Sequence, residues 1–333
     1  MSLPWLPEQD SIVLASRVRI ARNVDGIPFR GALHPGAARE FASRVRAVLG
    51  PLGLEHVADD TSPDAAPYSD ALEIPSDLLE GGSPWLALRR GGTGVVVFQN
   101  DHLRGWARRT GFDLAGALED VVDVDSDLAL LGPFARDPQW GWRTSSPEDV
   151  GTGMRATTLL FLPALWLARR IGNLSDGLDV LGGRLRSPWD GEAPGPLAVV
   201  SNRVTLGRSE LDLIADVEGW TRRVAEEEER AARDLVEHWG GELRDSVHRS
   251  DAVLGSSRLL GAAELQQRAA LVALGSRMGW MPSGLVGDAV RLLVDTRPDT
   301  LRVRRAGEVA EGHPQLDDLR ASEVRLLWGR TRA

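Results

Sequence analysis

Arginines near predicted strands are the residues of this chain that could do chemistry. Arg17 and Arg19 are two residues apart in SRVR, so on a strand both side chains would project from one face. Other strand-associated arginines follow at Arg104, Arg155, Arg184 and Arg186. A guanidinium is a planar fork of N–H donors that can bind phosphate oxygens through two parallel hydrogen bonds. The spacing suggests a phosphate site, although exposed arginines are common in a chain without lysine.

A second stretch, VVVFQNDHLR, places polar residues where a buried strand is predicted to end. It carries Gln99, Asn100 and Asp101, followed by His102 and Arg104. An amide oxygen can accept a hydrogen bond from a cationic substrate, but it cannot hold a proton at neutral pH. His102 fits a structural role as well as a catalytic one.

Composition excludes several chemistries. All 39 residues counted as Lys+Arg are arginine, so neither a GxxxxGK[ST] phosphate loop nor a Schiff-base lysine can exist. The chain has no cysteine, which excludes disulfides, thiolate metal sites and a cysteine nucleophile. The histidines show no metal-ligand spacing, so no structural metal is predicted.

Length and charge bound the class of protein. The 333 residues can bury a large core, and the net charge of −9 argues against nucleic-acid binding, which needs a local excess of basic residues. No secretory signal is visible at the start. The longest apolar stretch, residues 156–168, contains a proline and is shorter than the ~18 residues of a membrane span. The sequence therefore predicts a soluble cytoplasmic protein that binds neither nucleic acid nor membrane.

The elements that position these residues follow from periodicity and turn residues. The predicted strands are residues 11–23, 71–74, 94–100, 140–144 and 197–206. The predicted helices are residues 35–49, 113–122, a segment after 151–153 that runs through 170, and 220–239. Residues 59–67 and 187–196 are predicted loops, the second of them mobile. Three further helices, at 262–278, 283–293 and 316–328, predict a helical domain. The predicted division is a leader at 1–14, a catalytic domain at 15–240 and a C-terminal helical domain at 241–333.

Four motifs resemble a known family. SRVRIARN, DHLR, TSSPEDVGTGMR and SNRVTLGRSE, in this order, resemble the guanidino (phosphagen) kinases, which phosphorylate creatine, arginine or protein arginines with MgATP. The short leader and the C-terminal helices resemble the bacterial protein-arginine kinase branch. The resemblance implies an α+β fold, with a large antiparallel sheet flanked by helices and a C-terminal helical domain. It also implies ATP and Mg²⁺, with an arginine-containing protein substrate or a phosphoarginine protein as partner, and it leaves room for a homodimer.

The resemblance assigns roles to individual positions. The residues that it implies for nucleotide binding are Ala15, Ser16, Arg17, Val18, Arg19, Arg104, Arg155, Ala156, Thr157, Thr158, Leu159, Arg184 and Arg186. It leaves open which of Arg184 and Arg186 reaches phosphate. LDDLRA is similar to the RDxxRA phosphoarginine element of the protein-arginine kinases, with the first arginine lost, so Asp317 and Arg320 are implied to bind phosphoarginine. Guanidinium forks with Mg²⁺ would supply the positioning and charge neutralisation that phosphoryl transfer needs.

The acceptor half of the pattern departs from the family. The family motif is NEEDHxR, and here Gln99 and Asn100 replace both glutamates. A general base contributes roughly 10² to 10⁴-fold, so its loss would slow turnover without necessarily abolishing binding. Ser146 stands where the family usually has a reactive cysteine, and EGGSP at 80–84 lacks the histidine of the protein-arginine kinases. The implied catalytic residues are Asn100, Ser146 and Glu192.

Three acidic residues could restore some negative charge. Glu192, in DGEAPG, aligns with the acidic residue of the family's flexible loop and is hypothesised to be the substitute base or guanidinium anchor. Glu148 and Asp149 replace uncharged residues of the family and could assist Glu192. The alternative is that Glu148 and Asp149 are a solvated pair at the approach to a helix.

Three functions remain compatible with these residues. The first is an active protein-arginine kinase with a modified acceptor site, which the family resemblance favours. The second is a catalytically impaired relative that binds nucleotide or phosphoarginine protein as an adaptor, which Gln99, Asn100 and Ser146 favour. The third is a kinase for a small guanidino metabolite, which the absence of the family's N-terminal helical domain disfavours.

Overall fold

The structure, a computed structural model, describes residues 3, 5–7, 10–62, 65, 68, 85–189, 191–305 and 315–332, except the side chains of 315, 331 and 332. Its described strands are β1 (Val13–Arg22), β2 (Glu55–Asp59), β3 (Leu86–Arg90), β4 (Thr93–Val97), β5 (Leu103–Thr110), β6 (Arg136–Asp137), β7 (Gly141–Trp142), β8 (Met154–Phe161), β9 (Gly183–Arg186) and β10 (Leu197–Asn202). Eight of them form one antiparallel sheet in the order β2-β3-β4-β5-β1-β8-β10-β9, and β6 pairs with β7.

Helices connect and cover these strands. The described α-helices are α1 (Pro35–Leu49), α2 (Leu114–Ala129), α3 (Pro163–Leu167), α4 (Ile171–Val180), α5 (Glu210–Ser256), α6 (Ala262–Arg277), α7 (Leu285–Asp295), α8 (Pro298–Arg304) and α9 (Gln315–Arg332). None of these helices is both long and apolar enough to cross a membrane. The architecture confirms the predicted α+β class, with a large antiparallel sheet and helices at the C-terminal end.

Strand β1 lies between β5 and β8, and its side chains alternate between two environments. Ser16, Val18 and Ile20 are buried on the face that helices cover. Arg17 and Arg19 are half-buried on the opposite face. This alternation of apolar and charged residues is what a strand with one packed face requires. The helical layer therefore leaves the arginine side of the sheet open.

Helix α2 packs against β5 and β1 at close range. Asp113 begins the helix by accepting a hydrogen bond from the backbone N–H of Gly116 at 2.8 Å, which satisfies one of the free N–H groups of the first turn. A Cβ atom at Gly105 would lie 2.8 Å from Val124, so the glycine allows the helix to approach the strand. Arg109, at the end of β5, adds an ion pair with Asp120 at 2.6 Å.

Helix α5 supports the other half of the sheet. It begins with a capping box in which Ser209 and Asp212 each accept the other's backbone N–H. The Thr221 hydroxyl lies 2.7 Å from the hydroxyl of Thr158 in β8. The backbone leaves helical geometry at Trp239, where φ is −133° and ψ is 17°. The long helix is thus two helical segments joined at a bend.

Glu228 of α5 connects the sheet to the C-terminal helices. Its fully buried carboxylate accepts the backbone N–H groups of Ala164 and Leu165 at 2.9 and 2.8 Å, and so caps α3. Arg277 of α6 donates to the same carboxylate at 2.8 Å. Burial raises the pKa of Glu228 above its ordinary value, although the Arg277 charge and both backbone donors act in the opposite direction.

The segment before β1 packs on the C-terminal helices. Trp5 is 2% exposed, and the Asp10 carboxylate accepts hydrogen bonds from the Ser276 hydroxyl and from the backbone N–H groups of Gly284 and Val286. One hydrophobic core includes residues from this segment, the sheet and the C-terminal helices. The division at residues 14 and 240 remains a prediction.

Several predicted elements differ from the structure. Helix α1 has the predicted bounds, whereas the predicted helix that runs through residue 170 is wrong for its first half, which is strand β8. Seven of the eight residues of β8 are buried because the strand lies between β1 and β10, and its end, Leu159–Phe161, is a continuous apolar run without a period that separates strand from helix. The loop predicted at 59–67 overlaps the end of β2, and the predicted strand 71–74 and the segment 80–84 lie outside the described residues.

Candidate active site

Six arginines lie on the open face of the sheet, and together they are called the arginine cage below. They are Arg17, Arg19, Arg104, Arg155, Arg184 and Arg186. Residues directly opposite each other on neighbouring strands point to the same face. Arg19 of β1 is opposite Arg155 of β8, and Arg104 of β5 is opposite Ala21 of β1. The register thus places three of these side chains on one face.

The same register extends across the rest of the sheet. Arg17 is opposite Thr157, Thr157 is opposite Ser201, and Ser201 is opposite Arg184 of β9. Arg186 is two residues further along β9 and therefore shares the face of Arg184. The structure brings all six sequence-predicted arginines onto one surface.

Asp149 supplies a buried negative charge inside the arginine cage. Its carboxylate lies 2.8 Å from Arg155 Nη2, 3.4 Å from Arg19 Nη2 and 3.6 Å from Arg104 Nη2. Asp149 is 2% exposed, so it is not the solvated residue of the sequence-based alternative. One carboxylate thus neutralises part of the charge of three guanidinium groups.

Glu148 makes a second carboxylate bridge in the arginine cage. It lies 3.4 Å from Arg155 Nη2 and 3.3 Å from Arg184 Nη2. Its side chain is 41% exposed, unlike that of Asp149. Both residues belong to a short 3-10 helix, Pro147–Asp149, which Ser146 precedes. This short helix places both carboxylates in contact with arginines of the sheet.

The arginine cage has a strong and unbalanced positive charge. Burial and the neighbouring charges of Arg104 and Arg155 lower the pKa of Arg19 well below its ordinary value. Burial alone would raise the pKa of Asp149, but the charges of Arg19, Arg155 and Arg104 outweigh it, so this pKa lies below its ordinary value. The Nε atoms of Arg19 and Arg155 are buried and have no hydrogen-bond partner among the described residues. An unpaired buried donor costs about 1–3 kcal/mol, so the arginine cage suits a further group rich in acceptors, such as a phosphate.

Four predicted nucleotide-binding side chains lie on the other face. Ser16, Val18, Ala156 and Thr158 point toward the helical layer. The Ser16 hydroxyl, for example, donates to the Gly111 carbonyl at 2.9 Å. Strands alternate their side chains, so a contiguous nucleotide-binding segment cannot present every residue to one ligand. Ala15, Thr157 and Leu159 share the face of the arginines instead.

The residues expected to receive the acceptor group follow strand β4. Gln99 is buried, and its Oε1 accepts a hydrogen bond from Arg104 Nη1 at 2.7 Å. Asn100 is exposed, so of the two amides it is the one open to a substrate. Phe98, just before them, is buried with a φ of 60°, a sharp turn that separates the strand from the polar residues.

Asp101 joins this turn to the segment that carries Ser146. Its fully buried carboxylate accepts from the Asn23 amide at 2.9 Å and from the Ser145 backbone N–H at 2.7 Å. The Arg104 guanidinium also contacts it at 3.2 Å. Asn100 directly precedes Asp101, and Ser146 directly follows Ser145. Both therefore lie next to the same hydrogen-bonded cluster.

His102 has a structural role in the described contacts. It is fully buried, its Nδ1 accepts the backbone N–H of Val24 at 3.1 Å, and its Nε2 lies 2.7 Å from the Pro28 carbonyl. Burial lowers the pKa of His102, which suits a neutral ring that accepts at one nitrogen and donates at the other. Both nitrogens are thereby used to hold the chain after β1.

Comparison with known proteins identifies the family. A model described as the ATP:guanido phosphotransferase C-terminal catalytic domain matches residues 89–231. A protein-arginine kinase of Halothermothrix orenii is 30% identical, over 96% of this chain and 93% of its own. Another, of Moorella thermoacetica, is 33% identical over 81% of each chain. The chain belongs to the ATP:guanido phosphotransferase family.

Solved structures show that the fold is that of guanidino kinases. The duplicated taurocyamine kinase of Schistosoma mansoni, solved with transition-state analogue components, superposes with a TM-score of 0.57 at 18% identity, over 81% of this chain and 40% of that chain. Lombricine kinase superposes with a TM-score of 0.54 at 14% identity, over 68% of this chain and 70% of its own. This chain thus has the same fold as these two kinases, although fewer than one in five aligned residues are identical.

Glu192 lies on the loop between β9 and β10 of this ATP:guanido phosphotransferase fold. Its carboxylate pairs with Arg297 at 2.7 Å, and the Arg297 guanidinium stacks on Trp189 at 4.1 Å from the ring centre. Arg297 precedes α8, so the loop that carries Glu192 contacts the C-terminal helices. Among the contacts of the described residues, Glu192 pairs with Arg297 and not with Asn100 or Ser146, and its hypothesised role as a base stays a prediction.

Arg320 and Asp317 contact each other and the chain before α6. The Arg320 guanidinium is 5% exposed and donates to the Leu260 carbonyl at 3.0 Å and to Asp317. The Leu260 backbone N–H donates to the Asp317 carbonyl at 3.1 Å. The described contacts thus fix α9 to the C-terminal helices. Phosphoarginine binding by this pair remains a proposal.

Sequence reasoning missed the roles of Asp101 and Asp149 in assembling the site. Asp149 follows a proline and precedes a glycine motif, a pattern that usually indicates an exposed turn. A signal was present in its charge, because a carboxylate a few residues before an arginine of a conspicuous motif has a natural ion-pair partner. The distances to Arg19 and Arg104 depend on strands far apart in the chain.

Replacing Asp149 with asparagine is expected to destabilise the fold by about 3 kcal/mol at pH 7, because three buried guanidinium groups lose their shared counter-ion. The pKa of Asp149 is depressed in the folded state, so this contribution is present above the ordinary aspartate pKa and is lost as pH falls through the folded value. The difference between the two proteins should therefore shrink in acid. Urea unfolding at pH 7 and at acidic pH measures it.

The matched control for this prediction is Asp176→Asn, which removes the same charge from an exposed position on α4. It should leave the unfolding free energy nearly unchanged. Equal stability of Asp149→Asn and Asp176→Asn at pH 7 would contradict the counter-ion role.

Proposed function

We propose that this chain is a protein-arginine kinase that transfers the γ-phosphoryl group of ATP to the guanidinium group of an arginine side chain. The observation that carries the proposal is the arginine cage, with two buried guanidinium Nε donors that no described residue pairs with. Curated relatives named protein-arginine kinase, similar over nearly the whole chain, support it further. The location that suits this function is the cytoplasm.

The arginine cage suits a triphosphate. Phosphoryl transfer asks the protein for in-line positioning and for neutralisation of charge on the transferring group. Guanidinium groups on β1, β5, β8 and β9 would contact phosphate oxygens from several sides, because neighbouring strands are roughly 4.8 Å apart. The Mg²⁺ that accompanies ATP would be held mainly by phosphate oxygens, since the described residues contain no cluster of three acidic, histidine or cysteine side chains that could hold a metal.

The acceptor step forms a bond between a guanidinium nitrogen and the γ-phosphorus while the bond from that phosphorus to the ADP oxygen breaks. The nitrogen must also lose a proton. The exposed Asn100 amide oxygen can orient the guanidinium, but it cannot take the proton. Asp149 has a depressed pKa, which makes it a weak base. Water is therefore the proposed proton acceptor, which predicts a slow reaction.

The catalytically impaired adaptor remains the second candidate because of one observation. Gln99 is buried with its amide oxygen on Arg104, so this position supplies neither a base nor a free acceptor. A kinase for a small guanidino metabolite is not favoured, because the relatives that match most of this chain are named protein-arginine kinases. Phosphoarginine binding at Asp317 and Arg320, and assembly into a homodimer, are further parts of the proposal.

The experiment that tests the proposal is incubation of the full chain with γ-labelled ATP and an arginine-rich protein. We expect label on the protein that is stable to base and lost in acid, because a phosphoramidate P–N bond hydrolyses in acid. Free arginine and creatine serve as alternative acceptors. Label on the small acceptors alone would favour the metabolite kinase. Nucleotide binding without any transfer would favour the adaptor.

A further inference from the structure

The carboxylate of Glu148 lies between two arginines of the arginine cage. It contacts Arg155 of β8 at 3.4 Å and Arg184 of β9 at 3.3 Å. These two strands are not neighbours, because β10 runs between them. One carboxylate therefore spans roughly 10 Å of sheet, two strand spacings, by receiving two long arginine side chains.

Carboxylate and phosphate oxygens accept hydrogen bonds from guanidinium groups in the same geometry. The Nη2 atoms that contact Glu148 belong to arginines whose proposed partners are nucleotide phosphates. An N–H group that donates to Glu148 cannot donate fully to a phosphate oxygen at the same time. Glu148 and a phosphate would thus compete for Arg155 and Arg184.

The two acidic residues differ in how firmly the structure holds them. Asp149 has a side chain that is 3% exposed, contacts three guanidinium groups, and donates its backbone N–H to the Ser146 carbonyl at 3.1 Å. Glu148 has a side chain that is 41% exposed and makes only long contacts. Exposed ion pairs contribute little, so Glu148 can leave the arginine cage at low cost while Asp149 stays.

We propose that Glu148 is an internal competitor of the nucleotide phosphates and thereby sets the nucleotide affinity of the arginine cage. Without nucleotide, Glu148 holds Arg155 and Arg184 together. When a phosphate binds, it takes the place of the Glu148 carboxylate, which turns to solvent. This inference rests on the proposed function, because it names the residue that regulates access to the same site.

The test compares the dissociation constant of ADP for the full-length wild type and for Glu148→Gln, by titration calorimetry with and without Mg²⁺. The competitor role predicts a dissociation constant roughly fivefold lower in Glu148→Gln under both conditions, because the weakened competition raises the fraction of binding-competent protein. Glu226→Gln is the matched control, because Glu226 is exposed on α5 and the substitution removes the same charge. Its dissociation constant should equal that of the wild type.

Three results would overturn the inference and leave the proposed function standing. Unchanged affinity in Glu148→Gln would show that Glu148 does not compete. Weaker binding confined to the Mg²⁺ condition would show that Glu148 serves the metal. Equal gains in Glu148→Gln and Glu226→Gln would reduce the effect to net charge. In all three cases the wild type still binds ADP, so the nucleotide site itself is kept. If the wild type binds no ADP at all, both the proposed nucleotide site and this inference are wrong.

Discussion

Replacing Arg155 with alanine is expected to lower kcat/KM for phosphoryl transfer by roughly a thousandfold, an effect typical of removing a charge that stabilises a transferring phosphoryl group. Arg155 lies opposite Arg19, contacts Asp149 at 2.8 Å and has a buried Nε that lacks a partner within the described part of the chain. Its loss would remove both a proposed hydrogen-bond donor to the phosphate and a neighbour that holds Asp149 in place. Initial rates with γ-labelled ATP measure the effect.

Two variants sharpen this prediction. Arg155→Lys keeps the charge but loses the planar fork, so its rate should lie between those of the wild type and Arg155→Ala. Arg249→Ala removes an exposed arginine of α5 whose described ion pair is with Asp245, and it should leave the rate unchanged. A wild-type rate in Arg155→Ala, with folding intact by thermal unfolding, would exclude Arg155 from the phosphate site.

Replacing Asn100 with glutamate is expected to raise the rate of phosphoryl transfer by roughly a hundredfold, the usual contribution of a general base. Asn100 is exposed at the end of the turn after β4, next to the cluster around Asp101. A carboxylate there could both orient the acceptor guanidinium and accept its proton. The assay is the same transfer of label to an arginine-rich protein.

Gln99→Glu is the matched control for this gain, because it adds the same group one residue earlier. Gln99 is buried with its side-chain oxygen 2.7 Å from Arg104, so a carboxylate at this position would pair with that guanidinium and would be a poor base. We expect no increase in rate from Gln99→Glu. If Asn100→Glu is as slow as the wild type, proton removal does not limit the reaction.

The convergence of the arginines was predictable from the sequence, since side chains two residues apart on a strand share a face. Arg17 and Arg19 needed only that rule, and the ordered motifs supplied Arg104 and Arg155. The face of the sheet that the helices cover could be inferred in the same way from Val18 and Ile20. The alternation of side chains along one strand thus predicted the face on which the arginine cage lies.

The rest depends on contacts between distant segments. Strand β8 could not be distinguished from a helix, because burial on both faces removes the period of two. The Asp149 carboxylate appeared solvent-exposed from its neighbours in sequence, yet strands from three parts of the chain surround it. Glu192 faces Arg297, a residue in a helical region that no local pattern connects to its loop. Pairings of this kind arise only when the chain is folded.

Glu228 has a consequence for how the molecule can be divided. A fragment that ended before α6 would keep this fully buried carboxylate but lose Arg277, which leaves two backbone donors to support it. Removing one partner of a buried ion pair is strongly destabilising. The carboxylate that holds the turn after β8 would lose its counter-ion, and the strand that carries Arg155 would be held less firmly. Truncation from the C-terminal side would therefore loosen the arginine cage without removing any of its residues.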